Sequence, residues 1–109
     1  MGEERRTAER FKVSLPARWE GVLDRHEGTV TDISTNGCFM LSAGGVTKGE
    51  LVRVEIQLPT EGWSYIWGEV VYQQEEIGFA VQFTGSGEQE LQHLQLLIDY
   101  VREQGADVE

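Results

Sequence analysis

The chain has 109 residues, of which 39% are hydrophobic, and its formal net charge is −10 at pH 7. A chain of this length can bury one core but is too short for two ordinary domains, so we expect a single domain. The negative charge argues against a general nucleic-acid binder, because affinity for a polyanion requires a broad cationic surface.

Cysteine content and hydropathy indicate the cellular compartment in which the protein is expected. Cys38 is the single cysteine, so no internal disulfide can form, and no apolar run of signal-peptide length follows the charged start. No segment approaches the roughly 18 consecutive apolar residues that a membrane-spanning helix requires. We therefore expect a soluble, cytoplasmic protein that does not insert into membranes.

The positive charges are concentrated near the start of the chain. Five of the nine basic residues lie in residues 5–18, where Glu9 is the only acidic residue, so this window carries +4 and the remainder −14. Residues 1–10 lack periodicity and predict a flexible basic arm. A small, dense anion suits so local a cationic patch better than a long polymer does.

Six segments after the arm have the pattern of β-strands. The first alternates apolar and polar residues from Phe11 to Trp19, which predicts one buried face, and Pro16 makes it an edge strand or a bulged strand. Closely spaced strands with short polar turns indicate an antiparallel barrel or a sandwich over residues 11–84. The predicted strands are residues 11–19, 28–34, 38–43, 51–58, 63–73 and 77–84.

Residues 86–104 change to the period of an α-helix. Ser86 followed by Gln89 fits a capping box, and Gly105 supplies a stop. The helix packs either on the barrel or on a second copy of the chain; a stripe of this size is more often intramolecular core. The apolar stripe is formed by Leu91, Leu94, Ile98 and Val101, and Leu96 and Leu97 widen it.

The sequence gives little support for catalysis or metal binding. His26 is isolated near a turn and His93 lies on the predicted helix, so we expect both to be solvated rather than metal ligands. Cys38 begins a strand, where we interpret it as a small buried hydrophobe, with a reactive thiol as the alternative. We predict no catalytic residue, no metal and no cofactor.

Two short motifs remain. The first is RxxxR in the arm, and the second is DxSxxG between the second and third predicted strands. Taken singly, one predicts a solubilising terminus and the other a tight turn. The same residues can also hold a ligand, because guanidinium groups grip phosphate oxygens and stack on purines. The motif residues are Arg6 and Arg10, preceded by Arg5, and Asp32, Ser34 and Gly37.

Together, these motifs make the chain similar to the PilZ domain family from about Arg5 to Val101, since their order, their spacing, the strand count and the terminal helix all agree. The segments WGEVVY and EIGFAVQF resemble the fifth and closing strands of that family. The resemblance implies an all-β fold with a C-terminal helix: a six-stranded antiparallel β-barrel of the split-barrel type. It also implies binding of the bacterial second messenger cyclic di-GMP.

The resemblance implies a role for each motif residue. Arg6 and Arg10 would engage the phosphates and the O6 and N7 edge of guanine, which is a usual target for arginine. Asp32 would accept hydrogen bonds from guanine N1 and N2. Ser34 would bring a hydroxyl near phosphate or base, and Gly37 would let the backbone approach the ligand.

Two further positions belong to the predicted site. An arginine at the place of Arg5 is associated in the family with binding the ligand as an intercalated dimer. Tyr72 stands where many relatives carry tryptophan, a departure that would weaken a stacking contact with the ligand without abolishing binding. The resemblance implies a receptor or adaptor, not an enzyme. Because an unpatterned charged arm precedes a well-patterned barrel, we also expect the arm to become ordered on binding and to present a surface to an unidentified downstream protein.

The sequence leaves other interpretations open. One is a PilZ-fold adaptor that acts through protein contacts without binding nucleotide. Another is a small barrel that stacks single-stranded nucleic acid on Trp63, Tyr65 and Trp67, which the acidic surface disfavours. A homodimer is also left open.

Overall fold

The predicted strands close into one barrel in a computed structural model, which describes residues 9–22, 24–43, 45–57, 62–85 and 87–104. Every neighbouring pair is antiparallel, and the order around the barrel is β1-β2-β3-β6-β5-β4, with β4 returning to β1. The six-stranded barrel is therefore confirmed over the sandwich. The strands are β1 (Phe11–Glu20), β2 (Arg25–Ile33), β3 (Gly37–Leu41), β4 (Leu51–Gln57), β5 (Trp63–Gln74) and β6 (Gly78–Phe83).

Period-two alternation fills the barrel interior with apolar side chains. Trp19 of β1 is buried, packs edge-on against Phe79 with ring centroids 5.0 Å apart, and donates its indole N–H to Ser42 Oγ at 2.9 Å. The indole is thus buried with its polar atom satisfied. Cys38 lies in the same core, which confirms its interpretation as a small buried hydrophobe.

Pro16 lies where the pairing of β1 tolerates it. Pro16 is opposite Thr29 of β2, whereas pairing between β1 and β4 runs from Ala17 to Glu20. Its missing N–H is therefore not needed for the ladder to β4. The register against β2 also shifts between Lys12 and Leu15, so the prediction of a bulged strand is confirmed.

A buried carboxylate joins three strands on the outer face of the barrel. The side chain of Glu55 in β4 is 7% exposed, and its Oε1 accepts hydrogen bonds from Arg18 Nε at 2.9 Å and from Arg25 Nη2 at 3.1 Å. Arg18 also stacks over the ring of Trp63, 3.7 Å from its centroid. These charge-assisted bonds compensate for the burial of Glu55.

The helix α1 (Glu88–Glu103) packs on the barrel of its own chain. Leu94, Leu97, Ile98 and Val101 are buried in the cluster that contains Phe11. Leu96 was predicted to widen this stripe but is 64% exposed, because each residue turns the helix by about 100° and Leu96 points away from the stripe. Leu91, also predicted on the stripe, is 49% exposed at its edge, in the first turn. Among the described residues, no helix is long and apolar enough to cross a membrane.

The start of α1 differs from the predicted capping box. The N-cap is Gly87, and the Glu90 carboxylate accepts a hydrogen bond from Gly87 N at 3.3 Å, so Ser86 as N-cap with Gln89 was wrong. The other oxygen of Glu90 accepts from the backbone N–H of Trp67 at 3.1 Å, which ties the helix to β5. Ser86 and the predicted stop at Gly105 lie outside the described residues.

Candidate functional site

The DxSxxG motif forms the turn between β2 and β3, and its serine holds that turn together. Ser34 is buried, and its hydroxyl oxygen accepts hydrogen bonds from Asn36 N at 3.0 Å and Gly37 N at 3.3 Å. Ser34 N donates to Gly37 O at 2.9 Å, and Phe83 N donates to Asn36 O at 2.8 Å. The turn is therefore fixed from within and also by the end of β6.

Gly37 is required by the packing of β3 on β6. A Cβ at this position would lie 2.2 Å from the carbonyl oxygen of Val81, far inside van der Waals contact. The sequence suggested that a glycine here admits a ligand. The structure supplies a different reason, which is the close approach of a neighbouring strand.

Asp32 of this motif meets Arg10 of the RxxxR motif. Arg10 Nη1 donates a hydrogen bond to Asp32 Oδ1 in an ion pair between residues 22 positions apart. The Asp32 side chain is 19% exposed and that of Arg10 is 44% exposed, so both groups remain accessible to a ligand. Antiparallel pairing of β1 with β2 produces this meeting, since Lys12 lies opposite Asp32.

The ion pair lies at a polar cavity of about 410 Å³ on the barrel wall. The cavity extends from the turn across β3 to the outer faces of β5 and β6. Besides Arg10 and Asp32, its lining comprises Asn36, Gly37, Cys38, Phe39, Val71, Tyr72, Ala80, Val81 and Gln82.

Three register shifts surround this cavity. They fall between Lys12 and Leu15 in the β1–β2 pair, between Val30 and Asp32 in the β2–β3 pair, and just before Tyr72 in the β5–β6 pair. A bulge bends its strand and redirects the adjacent side chain, and bulges are common beside functional sites. Here, two of the predicted site residues stand directly after a shift.

Aromatic side chains form one side of the cavity. Tyr72 is 55% exposed, and its ring centroid lies 6.2 Å from that of Phe39 at an interplanar angle of 39°. Both rings offer an apolar surface beside the ion pair. Phe39 was not predicted, although the inward positions of Cys38 and Met40 imply that the residue between them faces outward.

Cys38 contributes a neutral wall rather than a nucleophile. Burial and, to a smaller extent, the nearby Asp32 carboxylate together raise the pKa of its thiol to about 12, against a smaller opposing effect of Arg10. Since the thiolate is the reactive form, this thiol is inert near neutral pH.

The remaining predicted site residues are Arg5 and Arg6, which lie outside the described residues. The structure therefore brings together Arg10, Asp32, Gly37 and Tyr72 around one cavity, with Ser34 buried in the turn beneath it. Asn36, Phe39 and Gln82 line the same cavity and were missed by the sequence analysis.

A larger cavity of about 680 Å³ lies at the opposite end of β1 and contains none of the motif residues. Asp24 and Glu50 both line it, and the Glu50 carboxylate accepts hydrogen bonds from Thr47 N at 3.0 Å and Val22 N at 3.3 Å. His26, expected to be solvated, is instead half-buried here and stacks on Trp19 with ring centroids 4.5 Å apart. Across the five described ranges, no group of three or more His, Cys, Asp or Glu residues is arranged to hold a metal.

Comparison with known proteins agrees with the architecture. An inhibitor of motility (MotI/DgrA) from Bacillus subtilis matches with a TM-score of 0.73 and 21% identity over 92% of this chain. The chain spans about half of that protein, 51% of its length. The PilZ domain of CeSA from a cellulose-synthesizing bacterium matches with a TM-score of 0.68 and 14% identity, covering 84% of this chain and 96% of that one. At these identities the two structures support the fold alone, and no curated protein matches the sequence.

A match to a family model covers most of the chain and shows the family to which it belongs. The model of the PilZ domain matches residues 4–100, which include both motifs, all six strands and most of α1. The chain belongs to the PilZ domain family.

Proposed function

We propose that this protein is a bacterial receptor that binds cyclic di-GMP at the Arg10–Asp32 cavity and passes the signal to a downstream protein. PilZ domains are regulatory receptors and adaptors. The observation that carries the proposal is the contact between Arg10 and Asp32 at a polar cavity bordered by aromatic rings.

The chemistry of these side chains fits guanine and phosphate. A carboxylate accepts from the N1 and N2 donors of guanine, and a guanidinium donates either to phosphate oxygens or to the O6 and N7 edge. In the free protein Arg10 and Asp32 satisfy each other. That contact uses only Nη1 of Arg10 and Oδ1 of Asp32, so a guanine nucleotide can add charge-assisted bonds to the remaining N–H donors and to the second carboxylate oxygen.

The aromatic side of the cavity suits the rest of the ligand. Stacking of a base on an aromatic side chain contributes about 1 to 3 kcal/mol. Tyr72 and Phe39 both present rings beside the ion pair, so a base held by Asp32 can lie against one of them.

The arm supplies the additional positive charge that a ligand with two phosphates needs. Arg5 and Arg6 precede Arg10 by five and four residues in the sequence, and the proposal assigns both to the ligand that Arg10 contacts. In this proposal, binding draws the arm onto the barrel and creates the surface that the downstream protein recognises. Arg5 then stacks on a second guanine, which favours a ligand dimer.

Isothermal titration calorimetry with cyclic di-GMP tests the proposal. The variants Arg10→Gln and Asp32→Asn each remove one charge with little change in shape, and we expect each to bind about 10-fold to 100-fold more weakly. Arg25→Gln, at the far end of β2, is the matched control and retains wild-type affinity. Cyclic di-AMP, whose adenines lack O6 and the N2 amino group, serves as the competing ligand.

Specific outcomes would refute the receptor function. If wild-type protein gives neither heat nor binding in equilibrium dialysis, the barrel is an adaptor that acts without nucleotide. If cyclic di-AMP binds as tightly as cyclic di-GMP, the guanine-specific role of Asp32 is wrong. Thermal melts of each variant separate a lost contact from a lost fold.

A further inference from the structure

Arg102, in the last turn of α1, contacts the residues on both sides of Arg10. Its Nη2 lies 3.4 Å from Glu9 Oε1, and its guanidinium carbon lies 5.6 Å from the centre of the Phe11 ring. Its Nη1 also lies 3.3 Å from Asp99 Oδ1, one helical turn earlier. The end of the helix is thus connected to the segment that leads into the ligand cavity.

These contacts show that Glu9, Arg10 and Phe11 point to alternating sides of the chain. Glu9 and Phe11 face Arg102, whereas Arg10 between them faces Asp32. This is the alternation of extended backbone, in which residues i and i+2 share a side. Because Phe11 is 1% exposed, the segment is anchored in the core on one side of Arg10. Arg102 supplies the anchor on the other side through Glu9.

We propose that Arg102 is a positioning residue for the ligand site: it fixes Glu9 while burial fixes Phe11, so that the Arg10 guanidinium is held beside Asp32 before ligand arrives. This inference rests on the proposed binding of cyclic di-GMP. Preorganisation of this kind improves affinity, because less conformational entropy is lost when the ligand binds.

The same contact links the ligand site to the helix. If ligand holds Arg10 and its neighbours, the Glu9–Arg102 contact forms more often, and the last turn of α1 is stabilised. Thermodynamic linkage makes the effect reciprocal, so any partner that stabilises this turn strengthens ligand binding.

The expected size of the effect is modest. The side chains of Arg102 and Glu9 are 53% and 57% exposed, and exposed ion pairs contribute little to stability. We therefore expect Arg102→Gln to weaken binding of cyclic di-GMP by about twofold to fivefold, less than substitution of Arg10 itself.

A double-mutant cycle distinguishes positioning from a general structural role. We expect Glu9→Gln and Arg102→Gln to weaken binding by similar factors and the double variant to weaken it no further, because both act through one contact. Asp99→Asn is the matched control: it removes the other ionic partner of Arg102, leaves Glu9 intact and binds within twofold of wild type. Arg102→Lys, which keeps the charge, retains most of the affinity.

Amide hydrogen exchange provides a readout without ligand. Arg102→Gln should increase exchange at Arg10 and Phe11, while amides of β4 keep their protection. The proposal would be overturned if the amides of Arg10 and Phe11 exchanged as slowly in Arg102→Gln as in the wild-type protein. It would also be overturned if the losses of affinity from Glu9→Gln and Arg102→Gln added up in the double variant. If wild-type protein binds no cyclic di-GMP, the proposed function fails on its own, and the exchange result still decides whether Arg102 positions the segment.

Discussion

Replacing Gly37 with alanine should destabilise the whole barrel, not only the ligand site. The added Cβ would lie 2.2 Å from Val81 O, whereas real Cβ atoms essentially never come within 3.0 Å of such an atom. Relief therefore requires β3 and β6 to separate locally by at least the difference between these values, 0.8 Å. The bond from Phe83 N to Asn36 O, now 2.8 Å, lies beside the clash and would break.

The magnitude follows from these two effects. Overpacking in a close-packed interior costs about 1 to 3 kcal/mol, and a lost backbone hydrogen bond adds about 1 kcal/mol. We thus expect the free energy of unfolding to fall by about 2 to 4 kcal/mol. For a domain of this size, that corresponds to a decrease in Tm of roughly 8 to 16 °C.

Differential scanning calorimetry measures this directly, and Gly45→Ala is the matched control. An added Cβ at Gly45 meets no atom within 4 Å, so the same chemical change should leave stability unaltered or raise it by less than about 1 kcal/mol. A Tm for Gly37→Ala within about 2 °C of wild type would refute the steric argument. The glycine of the DxSxxG motif would then be explained by ligand binding alone.

Three further predictions concern buried and capping groups. The free energy of unfolding should fall as pH rises from about 9 to about 12, because the thiol of Cys38 ionises at lower pH in the unfolded chain than in the folded one. In urea melts, a Cys38→Ala variant should lose stability less steeply with pH. The same pH dependence in both proteins would contradict the raised pKa of Cys38. Glu55→Gln should lower the free energy of unfolding by about 2 kcal/mol, since two arginines lose their anionic acceptor, and an unchanged urea midpoint would exclude this. Glu90→Gln should lower the free energy of unfolding by about 1 kcal/mol and speed hydrogen exchange of the Trp67 amide. Protection of that amide equal to wild type would show that the carboxylate is not needed there.

Periodicity in the sequence was enough to predict the strands and the helix, because both patterns are local, whereas the choice of a barrel over a sandwich came from the resemblance to the PilZ family. The alternation in β4 and the stripe around Leu94 and Ile98 require no knowledge of partners. The role of Leu96 was wrong because simple counting of apolar residues ignored the direction in which each side chain points.

The site was predictable only in part, since much of it depends on pairing between distant segments. Both motifs are visible in the sequence, but the register shifts that redirect Asp32 and Tyr72 arise from strand pairing. The same is true of Glu90, whose second contact is in β5, and of Arg102, which meets a residue 93 positions earlier. No local pattern indicates these contacts.

Binding of cyclic di-GMP at the Arg10–Asp32 cavity is tested most directly by an NMR titration of isotope-labelled protein with that ligand. We expect saturable shifts at the cavity, namely the amides of Asp32 to Phe39, those near Tyr72 and Gln82, and the Nε of Arg10. Smaller shifts should appear in the arm and in the last turn of α1, because binding also engages the arm and the Glu9–Arg102 contact. The residues around the larger cavity at the opposite end of β1, such as Glu50, should not move. Shifts centred there, or no shifts at saturating ligand, would contradict the proposed site.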